Sequence, residues 1–538
     1  MDDVEVSTLA NRFTSVPVES PFVWGMSALL VKESSNILER LLEKQDVVEE
    51  HYEQFKWSHF VIQLLLSYEL CNSGNQSEAV KKIESCEAEL TRLDRIGCNE
   101  RFYLRMRRPL WHLTLASRAL LFATISNFEV DLDYLDQEMG QKYNLTLFSD
   151  EERASLYGTK TICYLEYGYN GNMEALKWAR KALETDPSEA EWHFLTGKCM
   201  GRVRRCTRKF SGVPREEVEM IEKAVSLNPN PKYIMYVAQV YQQSASAAFI
   251  HHRGDENFYK SSLYQAINNM NKKAVELYQQ ALVFRPNCSY TYIRCLNGML
   301  KLPRKYLNLA QLRKMVDKVT MVAPNNTMFL HSAGVFYLKM DYDAKKALKF
   351  FEMASDQGNY GASMDAIRLR FRMNEQYNPV GRLRKLIEKF SARPHHEDAV
   401  SQLGSFYLFI VRDLERALEA YNLILEKDPE SRAMMVHKPI FVRMTRPINL
   451  FEVLVNEVRV YELKERPLDE KLKDGFMSLV AQYFPSLLEL EVDTQMIHRL
   501  IQESRRMARA EKRRRVMFLR YSTTERSPRK DKSFYART

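Results

Sequence analysis

The sequence predicts an all-α fold, a tetratricopeptide-repeat superhelix closed by C-terminal capping helices. Three observations predict it: a recurring pattern of small and larger apolar residues at helical spacing, a proline after most copies, and few residues of the kind that build long loops. Of 538 residues, 45% are hydrophobic, and only 18 are Gly and 18 are Pro. A chain of this length exceeds a usual single core, whereas a solenoid grows because each repeat packs on its neighbours.

The recurring pattern marks the second helix of each repeat. A small residue is followed by an aromatic or aliphatic residue four positions on, by a second small residue three positions later, and by a proline after five more. Full copies begin at Ala175 and Ala274. A degenerate copy begins at Glu217, a better one at Ala417 has Ile424 in place of the second small residue, and the copy at Ala347 lacks only the proline. Small residues let paired helices approach closely, and the proline ends the helix.

The first helices of the repeats are predicted by a small residue one turn before an aromatic residue. This spacing places both on the face that packs within the pair. The pairs are Ala238 with Tyr241, Gly334 with Tyr337, and Gly404 with Tyr407.

Along the chain, the prediction has five segments. They are a flexible arm over residues 1–20, an N-terminal helical subdomain over 21–150, a central superhelix over 151–435, capping helices over 436–500, and a basic, partly disordered tail over 501–538. The tail has 13 Lys or Arg against 4 Asp or Glu, a net charge of +9 out of +10 for the chain. The remaining body is therefore nearly neutral, which argues against a uniformly basic nucleic-acid surface.

Several function classes lack their signatures in this sequence. It contains no phosphate-binding glycine loop, no HExxH zinc motif and no serine elbow, so we expect a binding protein that is not an enzyme and carries no cofactor. The eight cysteines form no CxxC pair, and His395 with His396 is predicted to lie in a solvated loop, so no metal site is expected. No signal peptide or membrane-spanning run is found, which predicts a soluble, cytoplasmic protein.

Basic residues suggest a ligand without defining it. Arg202, Arg204, Arg205, Arg208 and Lys209 precede Tyr233 and Tyr236, a mixture that suits single-stranded RNA. A solvated basic loop beside core tyrosines explains the same residues. Arg294, Asn297 and His331 are predicted to line the concave face, where they would serve RNA or an acidic peptide equally well.

Several short segments resemble the interferon-induced proteins with tetratricopeptide repeats. The resemblance covers most of residues 20 to 430 at low identity. Its segments are Phe22-Val23-Trp24, Ile37-Leu38-Glu39-Arg40, the stretch from Asp186-Pro187 to Arg202, Asn230-Pro231-Lys232-Tyr233-Ile234, Tyr292-Ile293-Arg294, and Leu330-His331 with Gly334 and Tyr337.

The resemblance implies a superhelix that encloses a basic RNA-binding tunnel. It implies RNA contacts for Arg40, Arg202 and Arg294, with Tyr233 and His331 shaping the pocket. The sequence departs from the family at Lys44, where a glutamine is expected, and at Glu166 and Asn172, where a tunnel lysine and tyrosine are expected. A carboxylate at Glu166 would repel a terminal phosphate, so recognition of a 5′-triphosphate or cap does not follow.

Two hypotheses remain open from the sequence. One is binding of single-stranded RNA in the central tunnel, with a possible role in antiviral or innate-immune defence and with nuclear access through the basic tail. The other is a scaffold that holds a peptide or partner helix in the groove. A continuous basic lining around Arg202 and Arg294 would favour RNA, whereas a mixed or apolar lining would favour protein. The oligomeric state is not predicted.

Overall fold

The computed structural model describes residues 17–30, 37–38, 41–42, 55–125, 132–206, 212–286, 288–374, 376–390, 395–444 and 446–524. These residues form 22 α-helices with short 3₁₀ and π turns. The one β feature among them is an isolated antiparallel bridge between His437 and Ile448. The predicted all-α solenoid is confirmed.

The chain divides into two compact units, Met1–Pro324 and Asn325–Thr538. The division lies inside the predicted central segment 151–435. The helices of the first unit are α1 Trp57–Asn72, α2 Gln76–Arg95, α3 Arg101–Thr124, α4 Leu132–Gln141, α5 Asp150–Tyr164, α6 Gly168–Thr185, α7 Ala190–Cys206, α8 Arg215–Leu227, α9 Pro231–His252, α10 Ser262–Phe284, α11 Ser289–Met299 and α12 Leu309–Val322.

The second unit continues the pairs and adds a terminal group of helices. Its helices are α13 Thr327–Phe336, α14 Ala344–Asp356, α15 Tyr360–Met373, α16 Val380–Lys389, α17 His395–Phe406, α18 Leu414–Leu425, α19 Arg432–Met435, α20 Leu450–Leu463, α21 Glu470–Tyr483 and α22 Met496–Thr524. The Tyr421 side chain of α18 shares one buried core with Phe451, Phe476 and Ile497 of the last helices. This core covers the apolar face of the final pair, as the end of a solenoid requires.

The small residues of the repeat pattern lie where paired helices touch. Ala281 and Ala354 of the second helices have no exposed surface. In the first helices, a Cβ added at Gly334 would lie 2.5 Å from the Phe351 ring, and one added at Gly404 would lie 2.6 Å from the Tyr421 ring. Glycine therefore permits the close approach at these positions, and the predicted repeat register is confirmed.

Neighbouring first helices of the first unit bond directly to one another. Arg202 of α7 reaches the end of α5, Lys232 of α9 reaches α7, and Gln242 of α9 reaches α11. The second helices form the other layer, with Arg180 of α6 paired to Glu216 of α8. We call the layer made by α5, α7, α9 and α11 the first-helix layer.

The described end of the predicted N-terminal arm packs on this unit. The backbone N–H of Glu19 donates to His112 Nε2 of α3 (3.1 Å), and the Ser20 and Ser117 hydroxyls are 2.8 Å apart. The Glu19 carboxylate accepts from Lys160 Nζ of α5 (3.2 Å). Residues 17–20 are thus held by specific contacts, and residues 1–16 lie outside the described part.

In the part of the chain that the structure describes, no helix is both long enough and apolar enough to cross a bilayer. Six of the eight cysteines are buried, and all eight are free thiols. Cysteine serves here as a small apolar side chain.

Candidate nucleic-acid interface

Helix α7 carries two cations on one face, Lys198 and Arg202, separated by one helical turn. Nη1 of Arg202 donates to the backbone carbonyl of Leu165 at the end of α5 (2.7 Å). Among the described residues, no carboxylate forms an ion pair with either side chain. Arg202 is thus oriented by a neutral acceptor and keeps its remaining N–H groups for a ligand.

The protein around Lys198 disfavours the charged form of its amine. Its surface is partly exposed, yet desolvation lowers its pKa from 10.5 to about 8, assisted by the positive charges of Arg202 and Lys232. Burial and like charges both disfavour the ammonium form. An anion that approached Lys198 would relieve the repulsion among these three positive charges.

Aromatic rings flank these cations. The Phe194 ring lies 5.8 Å from Lys198 Nζ and 4.6 Å from Lys232 Nζ, and it packs edge-on against Tyr236 (5.3 Å). The Tyr236 hydroxyl is buried and has no hydrogen-bond partner among the described residues. A buried hydroxyl without a partner costs about 1–3 kcal/mol, which a bound ligand or water could recover.

Lys232 and Tyr233 instead hold α9 against α7. Lys232 Nζ donates to Glu191 at 2.7 Å, and Tyr233 Oη donates to the same carboxylate at 2.6 Å. The Tyr233 side chain is only 4% exposed. The predicted pocket residue Tyr233 is therefore a buried helix-to-helix contact whose hydroxyl is already engaged.

The five cations of the predicted basic cluster, Arg202 to Lys209, have different partners. Arg204 donates to the buried Glu217 of α8 at 2.9 Å and to Gln243 of α9 at 2.7 Å, so it joins three helices. Arg205 is exposed, and Arg208 and Lys209 lie outside the described residues. Of the five cations, Arg202 alone is at once described, partly buried and without a carboxylate partner.

A second group of cations lies on α11 and just after it. Arg294 is half-buried, and among the described residues no side chain forms a hydrogen bond or ion pair with its guanidinium. Desolvation, followed by the charge of Arg294, lowers the pKa of Lys301, whose surface is nevertheless exposed. Lys301 therefore resembles Lys198, because desolvation and the charge of a neighbouring arginine lower the pKa of both. The first helices that carry these two groups, α7 and α11, are separated by α9. Helix α9 lies between them and bonds to both α7 and α11.

The predicted residue His331 lies on α13 in the second unit. Its Nε2 is 3.0 Å from Asp365 Oδ2 of α15, and Arg368 pairs with the same carboxylate. Burial alone would raise the pKa of Asp365, but the hydrogen bond with His331 and the charge of Arg368 lower it overall. The carboxylate is thus held ionised between two basic side chains, and His331 is already paired.

Glu166 and Asn172 lie at the turn and first helical residues that follow α5. Glu166 directly follows Leu165, whose backbone carbonyl accepts from Arg202, so the two residues are close along the chain to the same contact. Asn172 is 5% exposed, and its amide points toward Cys206 Sγ (3.6 Å). Arg40 and Lys44 lie outside the described residues, so their predicted RNA contacts stay predictions.

Sequence reasoning missed Lys198 and Lys301. The available signal was helical spacing, because Lys198 precedes Arg202 by four residues and Lys301 follows Arg294 by seven. The predicted solvated loop at His395 and His396 was wrong, since both begin α17. The His395 ring stacks on Tyr360 at 4.2 Å, which gives the histidine a packing partner.

Comparison with known proteins supports the fold. No family model matches the sequence, and no curated protein matches it. Among solved structures, the human IFIT1 dimer with PPP-AAAA is similar with a TM-score of 0.50 and 16% identity, over 90% of this chain and 99% of that one. The human IFIT1 dimer with m7Gppp-AAAA is similar with a TM-score of 0.53 and 15% identity, over 93% and 99%. At this identity the likeness shows a shared fold.

Proposed function

We propose that the protein is a binding protein whose first unit holds single-stranded RNA on the first-helix layer. The observation that carries the proposal is the set of cations without carboxylate partners among the described residues: Lys198, Arg202, Arg294 and Lys301. Two of these, Lys198 and Lys301, have pKa values lowered by desolvation. Unpaired cations held in a partly dehydrated surface gain more from an anion than cations in bulk water.

The chemistry around these cations favours a nucleic-acid strand over an acidic peptide. Phe194 is only 3% exposed and cannot take a base, whereas the half-buried Tyr236 ring packs against it near the cations of α7. A strand offers bases for such a ring as well as phosphates for the cations. The IFIT1 structures that share the fold contain PPP-AAAA and m7Gppp-AAAA, which makes short oligoadenylates suitable probes. Contacts to phosphates would give affinity with little sequence preference.

Glu166 bears on which part of the RNA is held. Glu166 follows the residue whose carbonyl orients Arg202, and a carboxylate near Arg202 would repel a terminal triphosphate more strongly than an internal phosphate. We therefore propose that internal phosphates, each with one negative charge, bind there. An RNA that begins with a 5′-hydroxyl should bind at least as tightly as the same RNA with a 5′-triphosphate.

The test is the affinity of a 5′-hydroxyl oligoadenylate for charge-reversed variants, measured by fluorescence anisotropy. Arg202→Glu removes charge-assisted hydrogen bonds and adds repulsion, so we expect a loss of at least about 1.5 kcal/mol, roughly tenfold in affinity. Lys198→Glu should act in the same direction. Lys272→Glu makes the same charge change at an exposed position of α10 in the second-helix layer, and it should leave the affinity within about twofold.

Equal affinities of Arg202→Glu, Lys198→Glu and wild type, with circular dichroism unchanged, would rule out RNA binding on this surface. Equal losses in all three variants, including Lys272→Glu, would show that net charge alone attracts the RNA.

A protein partner is the second candidate, favoured by apolar side chains exposed at the ends of second helices. Val283 is 79% exposed and Met321 is 78% exposed, and both precede a proline at equivalent positions of α10 and α12. Exposed apolar surface of this kind is typical of protein contacts. This candidate predicts that Val283→Glu abolishes a partner interaction that Arg202→Glu leaves intact.

A further inference from the structure

The pair α9–α10 is longer than its neighbours and ends in an aromatic cluster. Helix α9 has 22 residues, against 17 in α7 and 11 in α11, so it extends more than one turn beyond them. Its far end, the connecting 3₁₀ turn Phe258–Lys260 and the start of α10 carry the cluster. We call this cluster the aromatic tip; its members are Phe249, His252, Phe258, Tyr259 and Tyr264.

Ring contacts fix the orientation of the tip. Phe258 is 3% exposed and lies 5.3 Å from Tyr259 and 5.4 Å from Tyr264, and the two tyrosine rings lie 5.2 Å apart. Tyr259 nevertheless remains 57% exposed. Its ring is thus held in place by two neighbours and presents aromatic surface to solvent, so stacking on it would cost little conformational entropy.

A cation lies beside the same rings. Lys305, in the 3₁₀ turn Arg304–Tyr306 after α11, donates to Asn268 Oδ1 (2.9 Å) and Tyr264 Oη (3.1 Å). Its Nζ is 4.8 Å from the Tyr306 ring centroid and 5.1 Å from that of Tyr264. It is exposed, and among the described residues no carboxylate pairs with it. The ammonium group is therefore positioned by neutral partners and keeps its charge for an anion.

The tip continues the line of cations that starts on α11. Arg294 lies on the helix, Lys301 follows the helix end, and Lys305 lies four residues further on. Desolvation is the main cause of the lowered pKa of Lys301, and the positive charge of Arg294 is the second cause. The α11 segment thus carries positive charge from the first-helix layer to the aromatic tip.

We propose that the aromatic tip is a second contact for the same RNA strand, at which one base stacks on Tyr259 and the adjacent phosphate binds Lys305. The inference rests on the proposed function and extends it to longer strands. A ring beside a cation suits a nucleotide, whose base has an aromatic face and whose phosphate follows it. Since every base can stack, the contact adds length dependence and no sequence preference.

The experiment compares two 5′-hydroxyl oligoadenylates, one of about 4 and one of about 12 nucleotides, within the range of site sizes known for single-strand binding proteins. Wild type should bind the longer RNA more tightly. Tyr259→Ala should weaken binding of the longer RNA about tenfold and leave the shorter RNA unchanged, and Tyr259→Phe should retain the wild-type affinity for both. Tyr483→Ala, at a tyrosine 40% exposed in the second unit, is the matched control and should change neither.

A 2-aminopurine base in the longer RNA gives a second measurement, because stacking quenches its fluorescence. We expect quenching with wild type and its loss with Tyr259→Ala. Unchanged quenching and unchanged length dependence in Tyr259→Ala would overturn the tip contact and leave the first-helix layer as the whole site. Wild type that binds neither RNA would overturn the proposed function and the tip together.

Discussion

The basic side chains on the first helices of the two units have different partners. In the first unit, Lys198, Arg202 and Arg294 have no carboxylate partner among the described residues. In the second unit, His331 and Arg368 converge on Asp365. Both faces are built from the same repeat, so the repeat fixes the backbone while the charged residues at a few exposed positions decide whether a face can attract an anion.

Neighbouring residues repeat the contrast. In the second unit, Arg370 pairs with Glu352, and Arg412 lies 3.5 Å from the buried Glu457. In the first unit, Arg204 and Lys232 are also paired with carboxylates. Lys198 and Arg202 are the cations of this group that have no carboxylate partner among the described residues. The net charge of +10 does not reveal this, because most of it lies in the tail. The local balance of charge on each face is what a ligand meets.

The strongest test of the contrast is to unfold one unit at a time. Ala281 in α10 and Ala354 in α14 are both fully buried and occupy equivalent positions of the repeat. Replacement by Glu buries an unpaired charge and overpacks the helix contact, so each should lower the free energy of unfolding by roughly 4 kcal/mol or more. Urea unfolding followed by circular dichroism measures the loss.

The two variants should differ in RNA affinity. Ala281→Glu should abolish it because the first unit carries the proposed face, whereas Ala354→Glu should retain it. Loss of affinity in both variants would mean that the second unit is also needed. A fully stable Ala281→Glu would contradict the repeat register itself.

The sequence predicted the backbone of this protein better than the partners of its polar side chains. Ala281 and Gly404 were identifiable because helix contacts impose a local spacing on small residues, and spacing is visible in one chain. The pairing of His331 with Asp365 joins residues 34 positions apart on different helices, which no local pattern records. The hydrogen bond of Tyr233 is hidden for the same reason, since its partner Glu191 precedes it by 42 residues.

Arg202 was predicted because its spacing from Asp186-Pro187 resembles that of a known family, while Lys198 was not predicted because no motif includes it. What distinguishes Lys198 is the protein around it, which desolvates the amine and lowers its pKa to about 8. Such a property arises from the packing of several helices and becomes visible once they are placed together.

Acid should destabilise both units through one buried histidine in each. Burial lowers the pKa of His112 in the first unit to about 4 and that of His437 in the second unit to about 3, from 6.5. Between 6.5 and these values the unfolded chain binds the proton and the folded chain does not. The free energy of unfolding should therefore be unaffected by these groups above pH 6.5 and fall as the pH drops below it, by on the order of 3 kcal/mol for His112.

Urea unfolding between pH 7 and 4 measures this loss. His112→Gln should make the pH dependence of the first unit flatter, and His437→Gln that of the second. His498→Gln, at an exposed histidine, should leave the pH dependence unchanged. A slope that is the same in all three variants would show that other groups dominate acid unfolding.

The substitution with the smallest expected effect removes a carboxylate from the second unit, so that its basic side chains become more like those of the first. Asp365→Asn keeps the shape of the side chain and removes the charge that pairs with His331 and Arg368. The lost charge-assisted hydrogen bonds should lower the free energy of unfolding by about 1–2 kcal/mol. The freed Arg368 should raise RNA affinity about two- to threefold at low salt, with a steeper salt dependence.

Glu419→Gln makes the same charge change on an exposed position of α18, away from this face. An equal gain in Glu419→Gln would assign the effect to net charge, whereas a gain confined to Asp365→Asn would show that the missing carboxylate distinguishes the face of the first unit.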